Sequence, residues 1–178
     1  MEEQVIINRI APHKDVDGLT YINQGRLMAG QKGIVPATPI GVIRLIDTYH
    51  LDLTGKSAVV IGRSNLVGKP LALLLMQRNA TVTMCHSKTV NLQEILKQAD
   101  IICSAVGRPG FITAEDIKPG AIIIDIGISR VFGKVVGDVE FNEVAPLTSY
   151  ITPVPGGVGP MTIASLLENV IECYKYTL

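Results

Sequence analysis

The chain has 178 residues, 47% of them hydrophobic, and its 16 basic residues balance 16 acidic ones. This length suits one large domain or one domain with part of another, and the balanced charge predicts neither a nucleic-acid partner nor an anionic membrane surface. Apolar stretches end well short of the roughly 20 residues that a membrane span needs, and the acidic N-terminus lacks the layout of a secretion signal, so we predict a cytoplasmic protein.

The first part of the chain predicts helices separated by turns. Residues 1–37 predict a helix and then a turn-rich stretch. The segment "PIGVIRLIDTYH" predicts the next helix. We expect Thr38 to be its N-cap and Pro39 its first residue, because threonine and proline favour these positions.

Strands and helices alternate after residue 55. Five strands are predicted by "KSAVVIG", "ATVTMCH", "DIICSAVG", "GAIIIDIG" and "SYITPVP", and intervening helices by "NLVGKPLALLLMQRN" and "NLQEILKQA". Buried β-branched strands that alternate with helices are typical of a parallel α/β sheet. We therefore predict a Rossmann-like parallel sheet with helices on both faces.

The C-terminal segment "GPMTIASLLENVIECYKYTL" predicts a long helix. Its apolar residues recur at helical spacing and fall on one side: Ile163, Leu166, Leu167, Val170 and Ile171. Such a helix either covers the sheet or returns to a second domain.

Cysteine and histidine usage predicts no metal site and no disulfide. Cys85, Cys103 and Cys173 lie in apolar contexts and form no Cys-x-x-Cys pair, so we expect buried, reduced thiols. The three histidines are scattered too widely along the chain to form a ligand cluster.

The segment "AVVIGRSNLVGKPLALLL" is similar to a dinucleotide-binding loop in which the middle glycine is replaced. An apolar strand ends at Gly62, Ser64 stands at the second glycine position of G-x-G-x-x-G, and Gly68 stands at the third. A tight turn between a strand and a helix N-terminus directs backbone N–H groups towards a phosphate. We predict a nucleotide site in which Arg63 adds a positive charge and Ser64 a hydroxyl donor; the alternative is an ordinary strand-to-helix turn.

The end of the second strand predicts the type of nucleotide. NAD sites commonly place a carboxylate roughly 20 residues past the loop, where it bonds the ribose 2′-OH. This chain has "CHSKT" there, with His86, Ser87 and Lys88. A hydroxyl and a cation suit a 2′-phosphate, which Arg63 can also reach, so we predict NADP rather than NAD. The alternative is a solvated basic turn.

Three further segments predict the ligand edge of the sheet. "AVGRPG" (105–110) follows the third strand and "DIGIS" (125–129) the fourth, at the carboxyl ends where open parallel sheets bind ligands. Their glycines allow the backbone to approach a flat ring closely. "TPVPGGVGPMT" (152–162) combines three prolines with three glycines, which suits a stiff substrate wall.

Seven segments in this order resemble the bifunctional methylenetetrahydrofolate dehydrogenase/cyclohydrolase family: "KDVDG", "GRSNLVGKP", "ATVTMCHSKT", "ADIICSAVGRPG", "KPGAIIIDIGI", "VGDV" and "ITPVPGGVGPMT". The resemblance runs from about residue 3 to the end. It implies NADP-dependent oxidation of 5,10-methylenetetrahydrofolate to the methenyl cation, followed by hydrolysis to 10-formyltetrahydrofolate.

The resemblance also implies roles for individual residues. Gly62, Arg63 and Ser64 would hold the cofactor phosphates and ribose. The remaining predicted contacts are Ser87 with the 2′-phosphate, Ile128 with the nicotinamide end, Asp17 with the pterin, and Pro155, Gly156, Gly157 and Thr162 with the junction between the two ligands. From the residues alone, Asp17 is better explained as a turn former before Gly18.

Family members carry a further substrate domain ahead of the segment that this chain matches, with a catalytic Tyr-x-x-x-Lys pair that does not occur here. We therefore assign no catalytic residue. The implied division is residues 1–38 as a remnant of the α/β folate-binding domain, 39–153 as the NADP-binding domain, and 154–178 as the substrate-wall loop and a helix that returns to the first domain.

Three hypotheses remain open. The chain is part of a working dehydrogenase/cyclohydrolase whose N-terminal half is separate, or a non-catalytic NADP-binding module, or a different two-domain NADP enzyme similar to shikimate dehydrogenase. The folate resemblance also implies a homodimer through the cofactor domains. Without a partner, the apolar sides of the helix after Thr38 and of the C-terminal helix are expected to meet water.

Overall fold

The computed structural model describes residues 3–175. Its helices are α1 (Glu3–Ile7), α2 (Tyr21–Met28), α3 (Ala37–Thr48), α4 (Gly68–Gln77), α5 (Leu92–Gln98), α6 (Phe141–Val144) and α7 (Val158–Lys175). Its strands are β1 (Ser57–Ile61), β2 (Thr81–Cys85), β3 (Ile101–Ser104), β4 (Ile122–Asp125), β5 (Ser129–Val131), β6 (Lys134–Val136) and β7 (Tyr150–Ile151).

Five strands form one parallel sheet in the order β2-β1-β3-β4-β7. β1 lies between β2 and β3, and its Ala58 is in register with Val82 on one side and Ile101 on the other. These are the five predicted strands, so the predicted parallel α/β fold is confirmed. The order places the first strand beside both the second and the third, which opens a crevice at their carboxyl ends.

Helices cover both faces of the sheet, as predicted. On one face, α3, α4 and the start of α7 pack on Ala58, Val60 and Cys103. On the other face, α5 and α6 pack on Val59 and Ile102. Every residue of β3 is buried, because an inner strand of a doubly covered sheet has no solvent face.

The start of α3 differs from the prediction. The helix begins at Ala37 with Pro36 as its N-cap, so the prediction that Thr38 is the cap was wrong. Proline is tolerated anywhere in a first helical turn, because the N–H groups there have no partner within the helix. Pro39 is therefore not the first residue of α3. The Thr38 hydroxyl, instead of capping the helix, accepts a hydrogen bond from Thr162 Oγ1 at 3.1 Å.

Four elements were not predicted: α2, the strands β5 and β6, and the short helix α6. α2 lies within the stretch assigned to turns, and Thr20 caps it by accepting from the Asn23 amide at 3.3 Å. β5 and β6 form an antiparallel hairpin. Its turn residues Phe132 and Gly133 have φ values of 48° and 79°, as a two-residue turn matched to strand twist requires.

The C-terminal helix packs with a different side from the one its sequence suggests. Its buried residues are Val158, Ser165, Asn169 and Cys173, whereas Ile163 and Leu167 on the apolar side are 60% and 61% exposed. The buried side contacts α3. The Asn169 amide also donates to the carbonyl oxygens of Val16 and Val35 at 2.8 Å each, which ties the N-terminal segment to the sheet domain.

The three cysteines are unpaired and buried, as expected. Within residues 3–175, every helix is too short or too polar to span a bilayer. The division of the chain at residues 38 and 153 stays a prediction, and residues 1–2 and 176–178 of its outer segments lie outside the described residues.

Two helical glycines provide a matched test of the contact between α3 and α7. A Cβ atom added at Gly41 would lie 3.0 Å from the Met161 backbone, whereas one added at Gly25 of α2 would meet nothing within 4 Å. We expect Gly41→Ala to destabilise the fold by about 1–2 kcal/mol, because overpacking outweighs the gain in helix propensity. Gly25→Ala should instead stabilise it by up to about 1 kcal/mol. Urea unfolding measures the free energy of unfolding of both variants. If Gly41→Ala stabilised the fold as much as Gly25→Ala, the close contact between α3 and α7 would be contradicted.

Candidate functional site

A cleft of about 450 Å³, here named the first cleft, lies at the carboxyl ends of β1, β2 and β3. It is lined by Ile61, Gly62, Arg63, His86, Ser87, Thr89, Leu92, Ala105, Val106, Arg108 and Phe111. The structure thus brings together three of the predicted cofactor residues, Gly62, Arg63 and Ser87. The 105–110 turn reaches the same edge, as predicted.

A second cleft of about 490 Å³ is largely apolar. It contains Ile128 and the four predicted residues of the substrate wall: Pro155, Gly156, Gly157 and Thr162. Asp125, at the end of β4, and Val67, just before α4, also line it. Residues predicted to approach the nicotinamide and the substrate therefore share one cleft, whereas Asp17 is not among those lining it.

The glycine loop between β1 and α4 is closely packed. A Cβ atom at Gly68 would lie 2.1 Å from the Gly62 carbonyl oxygen, so helix and strand can approach this closely only without a side chain. The amide groups of residues 63–66 make no hydrogen bond within the described part of the chain. These amides fit the phosphate-binding role that the loop predicts.

Ser64 has a structural role that the sequence did not indicate. Its hydroxyl accepts hydrogen bonds from the Val67 and Gly68 amides at 3.1 and 3.4 Å, and its carbonyl accepts from the Lys69 amide at 3.1 Å. The first amides of α4 are therefore partly satisfied internally, and Ser64 does not line either cleft. Its hydroxyl hydrogen remains able to donate, so the predicted phosphate contact stays a prediction.

The turn after β2 is held by local hydrogen bonds. The His86 amide donates to Thr89 Oγ1 at 2.9 Å, and the Lys88 amide donates to His86 Nδ1 at 3.1 Å. Ser87 lies exposed at the cleft, whereas Lys88 does not line it. Among the described residues, those that line the first cleft include no carboxylate, and its guanidinium groups belong to Arg63 and Arg108.

Arg108 is a cleft residue that the sequence analysis missed. Its Cζ atom lies 4.9 Å from the centroid of the Phe111 ring, a distance typical of a cation–π contact. The prediction for "AVGRPG" rests on its glycines and leaves out the cation between them. The available signal was the position of Arg108 in a turn at the carboxyl end of an inner strand.

Two buried carboxylates connect the loops that form the clefts. Asp138 accepts from Ser104 Oγ at 2.8 Å and from the amides of Val106 and Arg108 at 2.8 and 2.7 Å. Its own amide donates to Asp125 Oδ1 at 2.9 Å, and the Val139 amide donates to Asp125 Oδ2 at 3.1 Å. A buried carboxylate is costly unless such donors satisfy it, so these contacts fix the loop positions.

Glycines make room for both carboxyl groups. A Cβ atom at Gly127 would lie 2.0 Å from an Asp138 oxygen, and one at Gly137 would lie 1.9 Å from an Asp125 oxygen. Burial raises the pKa of Asp125 from 3.8 to about 6, and the Asp138 charge adds to the rise, although three backbone amides oppose it. The Asp125 carboxyl, which lines the second cleft, therefore loses its proton as the pH rises through a pKa of about 6.

The N-terminal motif "KDVDG" contains two aspartates with different surroundings. Asp15 is buried and accepts from the Leu19 and Thr20 amides at 3.0 and 2.8 Å and from Asn23 Nδ2 at 2.9 Å. Burial opposes its ionisation, but these hydrogen bonds outweigh burial and lower the pKa of Asp15. Asp17 is half-buried in the turn before Gly18, whose φ is 64°, which agrees with its interpretation as a turn former.

A parallel sheet of this order, with a glycine turn and a helix at its carboxyl edge, defines a nucleotide-binding domain of the Rossmann class. Comparison with known families is more specific. Residues 36–178 match the NAD(P)-binding domain of tetrahydrofolate dehydrogenase/cyclohydrolase. The chain belongs to this family and carries its NAD(P)-binding domain, which decides against the shikimate dehydrogenase alternative.

Similar proteins agree with this assignment. The chain is 59% identical to the bifunctional protein FolD of Thermodesulfovibrio yellowstonii over 176 residues, which are 98% of this chain and 62% of that protein. The FolD structure from Campylobacter jejuni is 49% identical, with a TM-score of 0.97, over 99% of this chain and 64% of that chain.

A third similar protein was solved with its cofactor. The Trypanosoma brucei enzyme, complexed with NADP and an inhibitor, is 39% identical with a TM-score of 0.92. The match covers 99% of this chain and 63% of the T. brucei chain. The present chain thus spans somewhat less than two thirds of the length of these relatives.

The titration of Asp125 gives a test of the buried carboxylate pair. Because its folded-state pKa lies above the unfolded value of 3.8, the group contributes stability that is fully present below pH 3.8 and lost as the pH rises through about 6. Asp125→Asn cannot titrate, and its amide nitrogen leaves one backbone N–H without an acceptor, at a cost of about 1–3 kcal/mol.

We therefore expect the stability advantage of the wild type over Asp125→Asn to shrink as the pH rises from 4 to 7.5. Urea unfolding of both proteins at several pH values measures this difference, in which groups common to both cancel. A difference that stayed constant, or grew with pH, would show that the Asp125 carboxyl is ionised throughout.

Proposed function

We propose that this chain binds NADP(H) in the first cleft and supplies the cofactor domain of a methylenetetrahydrofolate dehydrogenase/cyclohydrolase. The observation that carries the proposal is that Gly62, Arg63 and Ser87 meet in one cleft, and that no carboxylate lines this cleft within residues 3–175. A carboxylate at the end of the second strand would bind a ribose 2′-OH and repel a 2′-phosphate. A guanidinium and a hydroxyl favour the phosphate.

The orientation of the cofactor follows from the loop and the sheet edge. Its pyrophosphate would lie against the amides of residues 63–66, and its 2′-phosphate between Arg63 and Ser87. The nicotinamide end would then extend towards Ile128, which lines the second cleft. When bound, this cofactor supplies a hydride acceptor, while the residues of the chain bind it, orient it and exclude water.

The second cleft is the proposed site for the folate substrate. Pro155, Gly156 and Gly157 form a wall there, and the Thr162 hydroxyl is directed to Thr38 Oγ1 and the Val158 carbonyl at 3.1 and 3.2 Å. A Thr162 contact with substrate would therefore use its oxygen as an acceptor. The proposed contact of Asp17 with the pterin requires the substrate to extend beyond this cleft.

The exposed side of α7 supports packing against a further domain. Ile163, Leu167, Val170 and Ile171 are each about half exposed or more, and together they form an apolar surface of the kind that marks an interface. We propose that the substrate half, carrying the Tyr-x-x-x-Lys pair, covers this surface. A homodimer through the cofactor domains and a cytoplasmic location belong to the same proposal. A non-catalytic NADP-binding module is the alternative.

Replacing the phosphate-binding side chains should change the choice of cofactor. We expect Arg63→Ala and Ser87→Ala each to weaken NADP⁺ binding about tenfold or more, because charge-assisted bonds to phosphate are commonly worth about 1.5–3 kcal/mol. NAD⁺ binding should change much less. Isothermal titration calorimetry with both cofactors measures this, with Lys97→Ala, an exposed cation outside the cleft, as control. Equal losses for both cofactors would refute the 2′-phosphate site.

Turnover distinguishes the enzyme from the binding module. We expect the purified chain to bind NADP⁺ and to form little methenyltetrahydrofolate alone, because the proposed lysine lies in the substrate half. Adding the N-terminal half of the T. yellowstonii protein should restore NADP⁺-dependent formation of that product, followed by its absorbance. If the chain bound NADP⁺ but formed no product even after the N-terminal half was added, the non-catalytic module would be favoured. Turnover by the chain alone would show that these residues position the folate themselves.

A further inference from the structure

The position of the adenine ring follows from the proposed cofactor site, on which this inference rests. If the 2′-phosphate lies between Arg63 and Ser87, the adenosine ribose lies at the carboxyl end of β2. The base is joined to that same ribose, so it must occupy the adjacent part of the first cleft. The lining near the end of β2 includes Thr89 and Leu92, and the turn of residues 105–111 after β3 lines the same cleft.

Arg108 and Phe111 supply a flat surface at that position. The guanidinium of Arg108 lies over the Phe111 ring, with Cζ at 4.9 Å from the ring centroid. Phe111 is half-buried against the core beneath α5, whereas Arg108 is exposed in the cleft. This contact holds the guanidinium beside the ring, and the exposed Arg108 side chain remains open to a ligand in the cleft. Guanidinium planes are common stacking partners for nucleic-acid bases.

The backbone that carries Arg108 is fixed. Its amide donates to Asp138 Oδ1 at 2.7 Å, and the Val106 amide donates to Asp138 Oδ2 at 2.8 Å. Asp138 is completely buried, so the turn is attached to the core on both sides of Gly107. A side chain held by an anchored backbone and a supporting ring loses little conformational freedom when a ligand binds.

We propose that the Arg108 guanidinium, supported by Phe111, stacks on the adenine ring of the bound dinucleotide. Arg108 then contributes to the binding of any adenine dinucleotide, whereas Arg63 and Ser87 select for the 2′-phosphate. The two functions lie on opposite sides of the adenosine. A competing assignment, in which Arg108 pairs with the 2′-phosphate, gives a different pattern of affinities.

The test compares the affinities of NADP⁺, NAD⁺ and 2′,5′-ADP for the wild type and Arg108→Ala. Stacking predicts a loss of roughly tenfold that is similar for all three, because stacking of a base on a side chain is commonly worth about one factor of ten or more. The preference for NADP⁺ over NAD⁺ should stay unchanged. A loss confined to NADP⁺ and 2′,5′-ADP would overturn the proposal and assign Arg108 to the phosphate.

Two conservative variants separate planarity from charge. Arg108→Gln keeps a flat polar group without the charge, and Arg108→Lys keeps the charge without the plane. Stacking predicts that the glutamine variant binds NAD⁺ better than the lysine variant, and the reverse order would contradict it. Lys97→Ala controls for net charge. Since Arg108 is exposed, the unfolding midpoints should match that of the wild type.

Failure of this inference can be distinguished from failure of the proposed function. A wild-type chain that bound none of the three ligands would overturn both. A wild-type chain that bound NADP⁺ through Arg63 and Ser87, with Arg108→Ala binding all ligands unchanged, would overturn the stacking role alone.

Discussion

The arrangement of both clefts depends on one buried carboxylate, Asp138. Its two oxygens accept hydrogen bonds from the end of β3 at Ser104 and from the turn at Val106 and Arg108. Its amide donates to Asp125 at the end of β4. Removing a carboxylate from water is expensive, and the three donors offset this cost only when all of them are in place. The turn, the two strand ends and the segment before α6 must therefore take up their positions together.

This constraint explains why two distant sequence segments have their particular composition. Gly127 and Gly137 are needed because the carboxyl groups of Asp138 and Asp125 occupy the space where their side chains would lie. The β5–β6 hairpin lies between the two segments. By reversing the chain, the hairpin returns it to the sheet edge, where Asp138 meets β3. An element that the sequence analysis did not recognise thus brings the two glycines to the carboxylates that require them.

The features that the sequence predicts and the features that it misses have different physical origins. The inner strands β1, β3 and β4 are buried almost throughout, so their β-branched composition identifies them without any knowledge of neighbours. The orientation of α7 depends on Asn169 reaching the backbone at Val16 and Val35, which no periodicity reveals. The hydrogen bonds from the Val67 and Gly68 amides to the Ser64 hydroxyl, and the contact of Arg108 with Phe111, likewise depend on the folded shape of the loops. Gly62, Arg63 and Ser87 meet as predicted because all three follow adjacent parallel strands.

The two clefts differ in what the chain itself provides. The first cleft presents two guanidinium groups and the Ser87 hydroxyl, and the amides of residues 63–66 beside it make no hydrogen bond to the residues that the structure describes. Such groups suit a phosphorylated ligand through charge and hydrogen bonds. The second cleft presents proline, glycine and aliphatic side chains, and the carboxyl of Asp125 there already accepts hydrogen bonds from backbone amides on both oxygens. A ligand bound there would therefore meet mainly shape and apolar contact. Because Asp138 and Asp125 join the turns that form the two walls, a cofactor bound in the first cleft and a substrate in the second would be positioned by the same buried hydrogen bonds.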